Sequence, residues 1–209
     1  MKNLALDFDG TLIEISSRDY WLYYDVMHEM GHSTLKFHEY WPLRRERYPL
    51  DRLLKINGCN DVDRYISMRM ERCELPEYLR LDVVLDGTLE ALQLLARHFR
   101  CYVVTARGNV KNTLDEIKSM DLLHYLSDVI VASGPKLDAL RELDPVAMVG
   151  DTENDVFPAR ELGIRSIAVC SGIRSREYLK TISPDHVVEN ITEVPRLLLV
   201  HDVSPTTKT

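Results

Sequence analysis

The chain opens on a short apolar run, Leu4-Ala5-Leu6, that stops at Asp7-Phe8-Asp9-Gly10-Thr11. A run this short, ended by acids and a glycine, predicts a buried strand and a turn over residues 3–13. From about 86 to 200 the pattern alternates. Leu89, Leu92 and Leu95/Ala96 share one face of a helix predicted over 88–98. A buried strand follows at 101–105, a helix at 109–120, a strand at 129–131 and a short helix at 136–143. The series goes on with a strand at 146–150, a helix at 154–162, a strand at 166–170 and a last strand at 186–188, before a leucine-rich end. Apolar strands alternating with helices predict a parallel sheet covered on both faces. Between about 15 and 83 the chain is aromatic, with helical periodicity and no strand. The strand near residue 5 must join the later sheet across that block. The expected fold is α/β: a Rossmann-like parallel-sheet core from 1–14 and 84–209, plus an inserted α-helical cap domain at 15–83. The tail from 204 to 209 reads as a frayed end.

Composition narrows the class. At roughly 150 residues per domain, 209 residues suit one domain with an insertion. With 45% apolar and 28% charged residues the chain is globular rather than disordered. A net charge of −7 argues against non-specific nucleic-acid binding, which needs a basic footprint. No run approaches the ~18 apolar residues of a membrane span. Acids at 7 and 9 interrupt any signal-peptide core, and the four cysteines form no CxxC pair. These features predict reduced thiols and a cytoplasmic protein.

Chemistry concentrates where strands end. In doubly wound sheets, ligands bind at the carboxyl ends of strands. Asp7, Asp9 and Thr11 follow the first predicted strand; Thr105, Ala106 and Arg107 stand at the end of the second; Lys136 follows the third; Gly150-Asp151-Thr152-Glu153-Asn154-Asp155 follows the fourth. Four carboxylates on one rim repel each other and lose hydration, a cost that a cation among them offsets. An all-oxygen set suits Mg²⁺, which keeps some of its waters and accepts substrate phosphate.

These four motifs, in order and each at a strand end, resemble the haloacid dehalogenase (HAD) superfamily of phosphotransferases. The closest likeness is to its phosphoglycolate phosphatase and β-phosphoglucomutase-like branch, with a helical cap after the first motif. Asp7-Phe8-Asp9-Gly10-Thr11-Leu12 resembles the first motif, Thr105 the second, Lys136 the third, and Asp151 with Asp155 the fourth. The resemblance implies roles. Asp7 is the nucleophile, giving an aspartyl-phosphate. Asp9 protonates the leaving alcohol, then activates water. Thr105 and the Ala106 and Arg107 amides hold the phosphoryl oxygens, and Lys136 neutralises them. Gly10 and Thr11 lie against the phosphate, Gly10 by close backbone approach. Mg²⁺ is held by Asp7, the main-chain carbonyl of Asp9, and Asp151, with Asp155 binding through water or orienting Lys136.

A different class is spelled by His28-Glu29-Met30-Gly31-His32, an H-E-x-x-H sequence with His38 beyond it. A zinc site needs both histidines on one helical face. A helix starting at Ser16 or Ser17 would stop at Gly31 and leave His32 past its end. Residue 35 is Leu where the extended pattern wants Gly, so zinc proteolysis is disfavoured.

A cap of about 70 residues excludes water and favours small substrates. Its Trp41–Tyr48 run carries Arg44, Arg45 and Arg47, which read first as a solvated helix face and second as substrate contacts. Lys55-Ile56-Asn57-Gly58-Cys59-Asn60 resembles the cap segment that reaches toward the active site in this branch. The Ser-Arg pair that tends to follow that glycine in the sugar-phosphate mutases is absent. Tyr20, Trp21, Tyr23, Tyr24 and Met27 read as cap core. The expectation is therefore a Mg²⁺-dependent phosphatase acting on a small phosphorylated metabolite. A sugar-phosphate mutase on the same scaffold is the alternative, and a non-catalytic binding protein of this fold the remote one.

Overall fold

The structure is a computed structural model that describes residues 1–132 and 134–199; the tail from 204 to 209 lies outside the described residues. Strand β1 (Lys2–Leu6) is followed by β2 (Ile13–Glu14). Five helices come next: α1 (Ser16–Glu29), α2 (Phe37–Arg45), α3 (Leu50–Ile56), α4 (Val62–Arg72) and α5 (Pro76–Leu79). Then β3 (Val83–Val84), α6 (Thr88–Ala96), β4 (Phe99–Thr105), α7 (Val110–Ser119) and β5 (Asp128–Val131) lead to α8 (Leu137–Leu143) and β6 (Ala147–Gly150). The chain continues through α9 (Glu153–Leu162), β7 (Arg165–Val169), α10 (Arg176–Thr181), β8 (His186–Val188) and α11 (Val194–Leu199).

Six strands form one parallel sheet in the order β5-β4-β1-β6-β7-β8. Leu4, Ala5 and Leu6 of central β1 are fully buried, as both covered faces of such a sheet demand. The strand order turns at β1, between β4 and β6, so Asp7, Thr105 and Asp151 emerge side by side at neighbouring carboxyl ends.

Most predicted boundaries shift by a residue or two, and two differences have a definite cause. Strand β4 starts at Phe99, two residues before the predicted start, because Phe99 already pairs with Lys2. The supposedly strand-free block is framed by β2 and β3, an antiparallel ribbon pairing Ile13 with Val84 and Glu14 with Val83. Two residues per strand are too few for any alternation to show.

Helices α1 to α5 bury a core of their own, in which the Tyr23 and Tyr40 rings stack at 4.3 Å. Along α1 the buried positions are 18, 19, 22, 23, 26 and 27, one continuous face. Tyr23 and Met27 fill it as expected, joined by Leu22 and Val26, and Arg18 and Asp19 extend it; of the other expected core residues Tyr20 and Tyr24 are half-buried and Trp21 is exposed, because they lie off this face. The Asp19 carboxylate accepts from Arg44 at 3.1 and 3.0 Å, from Arg69 at 2.5 Å and from the Tyr40 hydroxyl. Burial pushes the Asp19 carboxyl up, but Arg44 and Arg69 outweigh it and hold the group below the usual carboxylate range.

The arginine run of α2 is not a solvated face. Arg44 and Arg45 point about 100° apart at the end of the helix, Arg47 lies beyond it at φ +53°, and the three diverge. Arg44 turns inward to Asp19. Arg45 donates to the carbonyls of Cys170 (2.6 Å) and Arg174 (3.2 Å), and Arg47 reaches Glu153 (3.0 Å) and the Tyr178 hydroxyl (3.2 Å). The loop after β7 answers: Ser175 N donates to Arg45 O, and Arg174 donates to Arg44 O while pairing with Glu153. On the other side, the Glu74 carboxylate accepts from the amides of Gly108 and Asn109 just before α7. Two polar seams thus tie the helical layer to the sheet layer.

Removing the Asp19 carboxylate leaves two half-buried arginines without their shared partner. Asp19→Ala is expected to cost about 3 kcal/mol, read as a lower denaturation midpoint; a change within about 0.5 kcal/mol, the range of an ordinary surface substitution, would contradict this role.

Candidate active site

The turn after β1 is wound tightly. The Phe8 carbonyl accepts from the amides of Leu12 (3.0 Å), Thr11 and Ile13 (both 3.3 Å), and Gly10 N donates to Ile13 O (2.9 Å). Gly10 has φ +79°, and a Cβ there would lie 2.5 Å from Asp151 Oδ2 and 2.8 Å from Gly172 Cα. Only glycine meets both demands. Ser171 Oγ donates to Gly10 O (2.8 Å) and Ile173 N to Asp151 Oδ2 (2.5 Å), which joins the loop after β7 to the same point.

Asp7, Asp151 and Asp155 are buried, and each offers a carboxylate oxygen within 4.8 Å of the others'. Lys136, buried at the start of α8, donates to Asp7 Oδ1 and to Asp155 Oδ1 (2.6 Å). Asp155 does two jobs. Its Oδ2 accepts from Thr152 N (3.0 Å) and Thr152 Oγ1 (2.9 Å) in the capping box that starts α9, and its Oδ1 holds Lys136. Helix-start chemistry therefore aims this carboxylate.

Three carboxylates against one ammonium leave two negative charges uncompensated in a buried place. Burial raises the Asp7 carboxyl to about 7; Lys136 works against this and Asp155 with it. Burial, then the Asp7 and Asp155 carboxylates, push Asp151 well above its ordinary range. A divalent cation bound by oxygen would cancel that excess, so the donor set fits one.

Asp9 lies outside this group. Its carboxylate is clamped by Arg18 and by Arg107, the latter at 2.8 Å from Nε and 2.6 Å from Nη2. Both arginines continue to Asp82, at 2.9 Å from Arg18 and 3.2 Å from Arg107, and Arg107 also pairs with Glu116. Burial works to raise Asp9, but the two guanidiniums prevail and hold it below the ordinary range. Burial, with Asp9 and Glu116 close by, raises Asp82 to about 8 against the pull of the arginines.

The other expected residues are placed as follows. Thr105 is buried at the end of β4 and its hydroxyl faces the Arg107 amide (3.4 Å). Ala106 is exposed. The Arg107 guanidinium is buried, sits 4.7 Å from the centre of the Phe8 ring, and is taken up by acidic side chains. Thr11 is fully buried and its hydroxyl has no hydrogen-bond partner among the described residues.

The charged residues that sequence reading passed over are Arg18, Asp19, Arg69, Asp82 and Glu116. A signal existed for the first two: stepping back one turn from Leu22 and Tyr23 lands on Arg18 and Asp19, so the periodicity puts charge on a buried face. Of the segment from 55 to 60, Lys55, Ile56, Gly58 and Asn60 are exposed and only Cys59 is buried. Cys59 is fully buried in the cap core, and Asn57 donates to the Tyr23 hydroxyl (3.1 Å). The H-E-x-x-H histidines are separated as expected: α1 ends at Glu29, Gly31 takes φ +82°, and His28 Nδ1 is 2.9 Å from Tyr24 O.

Other concavities lie elsewhere. An open depression of about 750 Å³, lined by Val146, Arg165, Ser166 and His186 among others, sits at the amino ends of the strands, away from the carboxylates. Among the described residues no helix is long and apolar enough to cross a membrane.

Comparison with known proteins agrees with this geometry. The HAD-hydrolase-like family model matches residues 129–194. A phosphoglycolate phosphatase of Synechococcus elongatus is 22% identical over 205 residues, 93% of this chain and 95% of the relative. A provisionally named pyrophosphatase, PpaX, of Caldanaerobacter subterraneus is 27% identical, with 93% of each chain covered. Among solved structures, a predicted phosphatase from Clostridium acetobutylicum superposes with a TM-score of 0.74 at 19% identity, covering 96% of this chain and 99% of that one. The chain is thus similar to HAD-hydrolase-like proteins over residues 129–194, and over most of its length it is similar in sequence and in fold to phosphatases.

Proposed function

We propose that the protein is a Mg²⁺-dependent phosphatase of small phosphomonoesters that works through an aspartyl-phosphate at Asp7. The observation that carries this reading is the buried trio Asp7, Asp151 and Asp155 around Lys136, two charges short of neutrality at the sheet's ligand-binding edge. The names of the full-length relatives support hydrolysis of phosphate compounds. Mg²⁺ would be held by Asp7, Asp151 and the main-chain carbonyl of Asp9, where it supplies charge neutralisation and Lewis acidity toward the phosphoryl oxygens.

The chain's own residues account for the rest. Asp7 is the nucleophile: a carboxylate needs no deprotonation to attack phosphorus, and Lys136 fixes its direction. Asp155 keeps Lys136 in place. Lys136, with the Thr105 hydroxyl and the backbone amides of Ala106 and Arg107, offers positive charge and donors to the phosphoryl oxygens. Thr11, whose buried hydroxyl lacks a partner, and Gly10 complete the phosphate side. Asp9 transfers the proton, as acid to the leaving alcohol and then as base toward water. The clamp by Arg18 and Arg107 holds it in the form that accepts a proton from water. An arriving phosphate dianion competes for those guanidiniums and loosens the clamp when the acid form is required.

The insert from 15 to 83 acts as a cap domain over the core formed by 1–14 and 84–209. It supplies Arg18 beside Asp9 and closes the site to water, which suits a small phosphorylated metabolite. All four cysteines are unpaired, in keeping with a cytoplasmic setting. The mutase alternative gains nothing from the 55–60 segment, whose one buried residue, Cys59, belongs to the cap core.

Two outcomes test this. EDTA should silence hydrolysis of phosphomonoesters and Mg²⁺ restore it, and Asp151→Asn should raise the Mg²⁺ concentration for half-activity at least about tenfold, some 1.4 kcal/mol; undiminished turnover in EDTA would refute the metal requirement. Asp9→Asn should lower kcat/KM by about 10²-fold or more for an alkyl phosphate and much less for 4-nitrophenyl phosphate, whose leaving group departs without a proton. Equal losses on both would remove Asp9 as the acid.

A further inference from the structure

Asp9 belongs to a closed ring of two carboxylates and two guanidiniums. Its Oδ1 accepts from Nη2 of both Arg18 and Arg107, and its Oδ2 from Arg107 Nε at 2.8 Å. On the far side Asp82 takes the same two arginines, through Oδ1 from Arg18 Nε at 2.9 Å and through Oδ2 from Arg107 Nη2 at 3.2 Å. Glu116 of α7 accepts from the remaining arm of Arg107, Nη1, and the Phe8 ring centre lies 4.7 Å from the guanidinium carbon. Every edge of the rigid Arg107 fork is thereby engaged. Asp82 owes its place to the β2–β3 ribbon. It directly precedes β3, whose Val83 pairs with Glu14 of β2, and Arg18 follows Glu14 on the first turn of α1.

Charge balance does not explain Asp82. Asp9 and Glu116 already match Arg18 and Arg107, so Asp82 is a third carboxylate for two cations, and its side chain is wholly buried. Burial raises its carboxyl to about 8 although both arginines oppose this. Folding disfavours the ionised form of such an acid, so above the ordinary carboxylate range this group works against stability. A buried charge that weakens the fold beside a reacting group points to a role in the reaction. Asp82 supplies geometry. The Arg18 and Arg107 guanidiniums repel each other, and Asp82 is bonded to both, which keeps the pair together on one carboxylate.

We propose that Asp82 is a positioning residue for phosphoryl transfer, holding Arg18 and Arg107 in register on Asp9 and so aiming the Asp9 carboxyl at the oxygen of the leaving alcohol. This rests on the phosphatase reading, in which Asp9 moves the proton. It also meets a need of that reading. When Asp9 lets go of the guanidiniums to act as acid, Asp82 and Glu116 retain them, and the clamp re-forms for the water step. A misaimed acid costs rate only where a proton must be delivered.

The test is the ratio of kcat/KM for ethyl phosphate to kcat/KM for 4-nitrophenyl phosphate, measured at saturating Mg²⁺. This constant spans the transfer to Asp7, and only the ethyl group needs a proton to leave. Asp82→Ala should lower the ratio about tenfold and leave the 4-nitrophenyl value within about twofold. Asp82→Asn is isosteric and still holds one guanidinium. It should lower the ratio at least about threefold with the melting midpoint kept or raised, since it removes a buried charge, and it carries the test where the alanine variant does not fold. In an Asp9→Asn background neither substitution should move the ratio further, because Asp82 acts through Asp9. An unchanged ratio, equal losses on both substrates, or a further fall in the Asp9→Asn background overturns the proposal. If Asp9→Asn lowers the ratio and the Asp82 variants do not, only the proposal fails. If Asp9→Asn itself leaves the ratio unchanged, the acid role of Asp9 fails and the proposal with it.

Discussion

Three carboxylates held against a single lysine, out of water, are the constraint on which the rest of the architecture depends. Asp7, Asp151 and Asp155 reach one point because β1 and β6 are neighbours and α9 begins just after β6. Lys136 arrives from beyond β5, two strands away from β1, and spans Asp7 and Asp155. Such a group repels itself and loses hydration. It persists because every neighbour is fixed: Gly10 and Gly172 leave room for the Asp151 carboxylate, the Ile173 amide binds it, and the Thr152 capping box aims Asp155. The residual two charges fit the chemistry of a divalent cation.

The cap repeats the principle with the sign reversed. Asp19 is a lone carboxylate between Arg44 and Arg69, and the surplus there is positive. Between the two groups, Asp9 is held by a cap arginine, Arg18, and a core arginine, Arg107, which also pair with Asp82 and Glu116. The loop from Ser171 to Ser175 links them mechanically. Its first half touches Gly10 and Asp151, and its second half is bonded to Arg44 and Arg45 of the cap. A shift of α2 is therefore felt at the Asp151 carboxylate.

The sheet and the four motifs were legible in the sequence because each depends on local order: an apolar run, then a polar residue where the strand must end. Residues 7, 136, 151 and 155 meet in space as strand-end logic predicts. What escaped was long-range charge. Arg18, Asp19 and Arg69 stand in helices where charge normally means solvent, and their partners lie up to 64 residues away, as Asp82 does from Arg18. Arginines 44, 45 and 47 looked like one patch, but 44 and 45 diverge by helix geometry and 47 lies past the end of α2. Asp9 and Arg107 were both singled out, yet their pairing spans 98 residues and leaves no trace in spacing.

The central claim is covalent chemistry at Asp7, and trapping tests it directly. Acid quenching during turnover of a phosphomonoester labelled in its phosphoryl group, followed by borohydride reduction and peptide mass spectrometry, reads out the acyl-phosphate. The account predicts homoserine at position 7 and nowhere else, dependent on Mg²⁺. Label on another side chain, or rapid hydrolysis with none at Asp7, would contradict it.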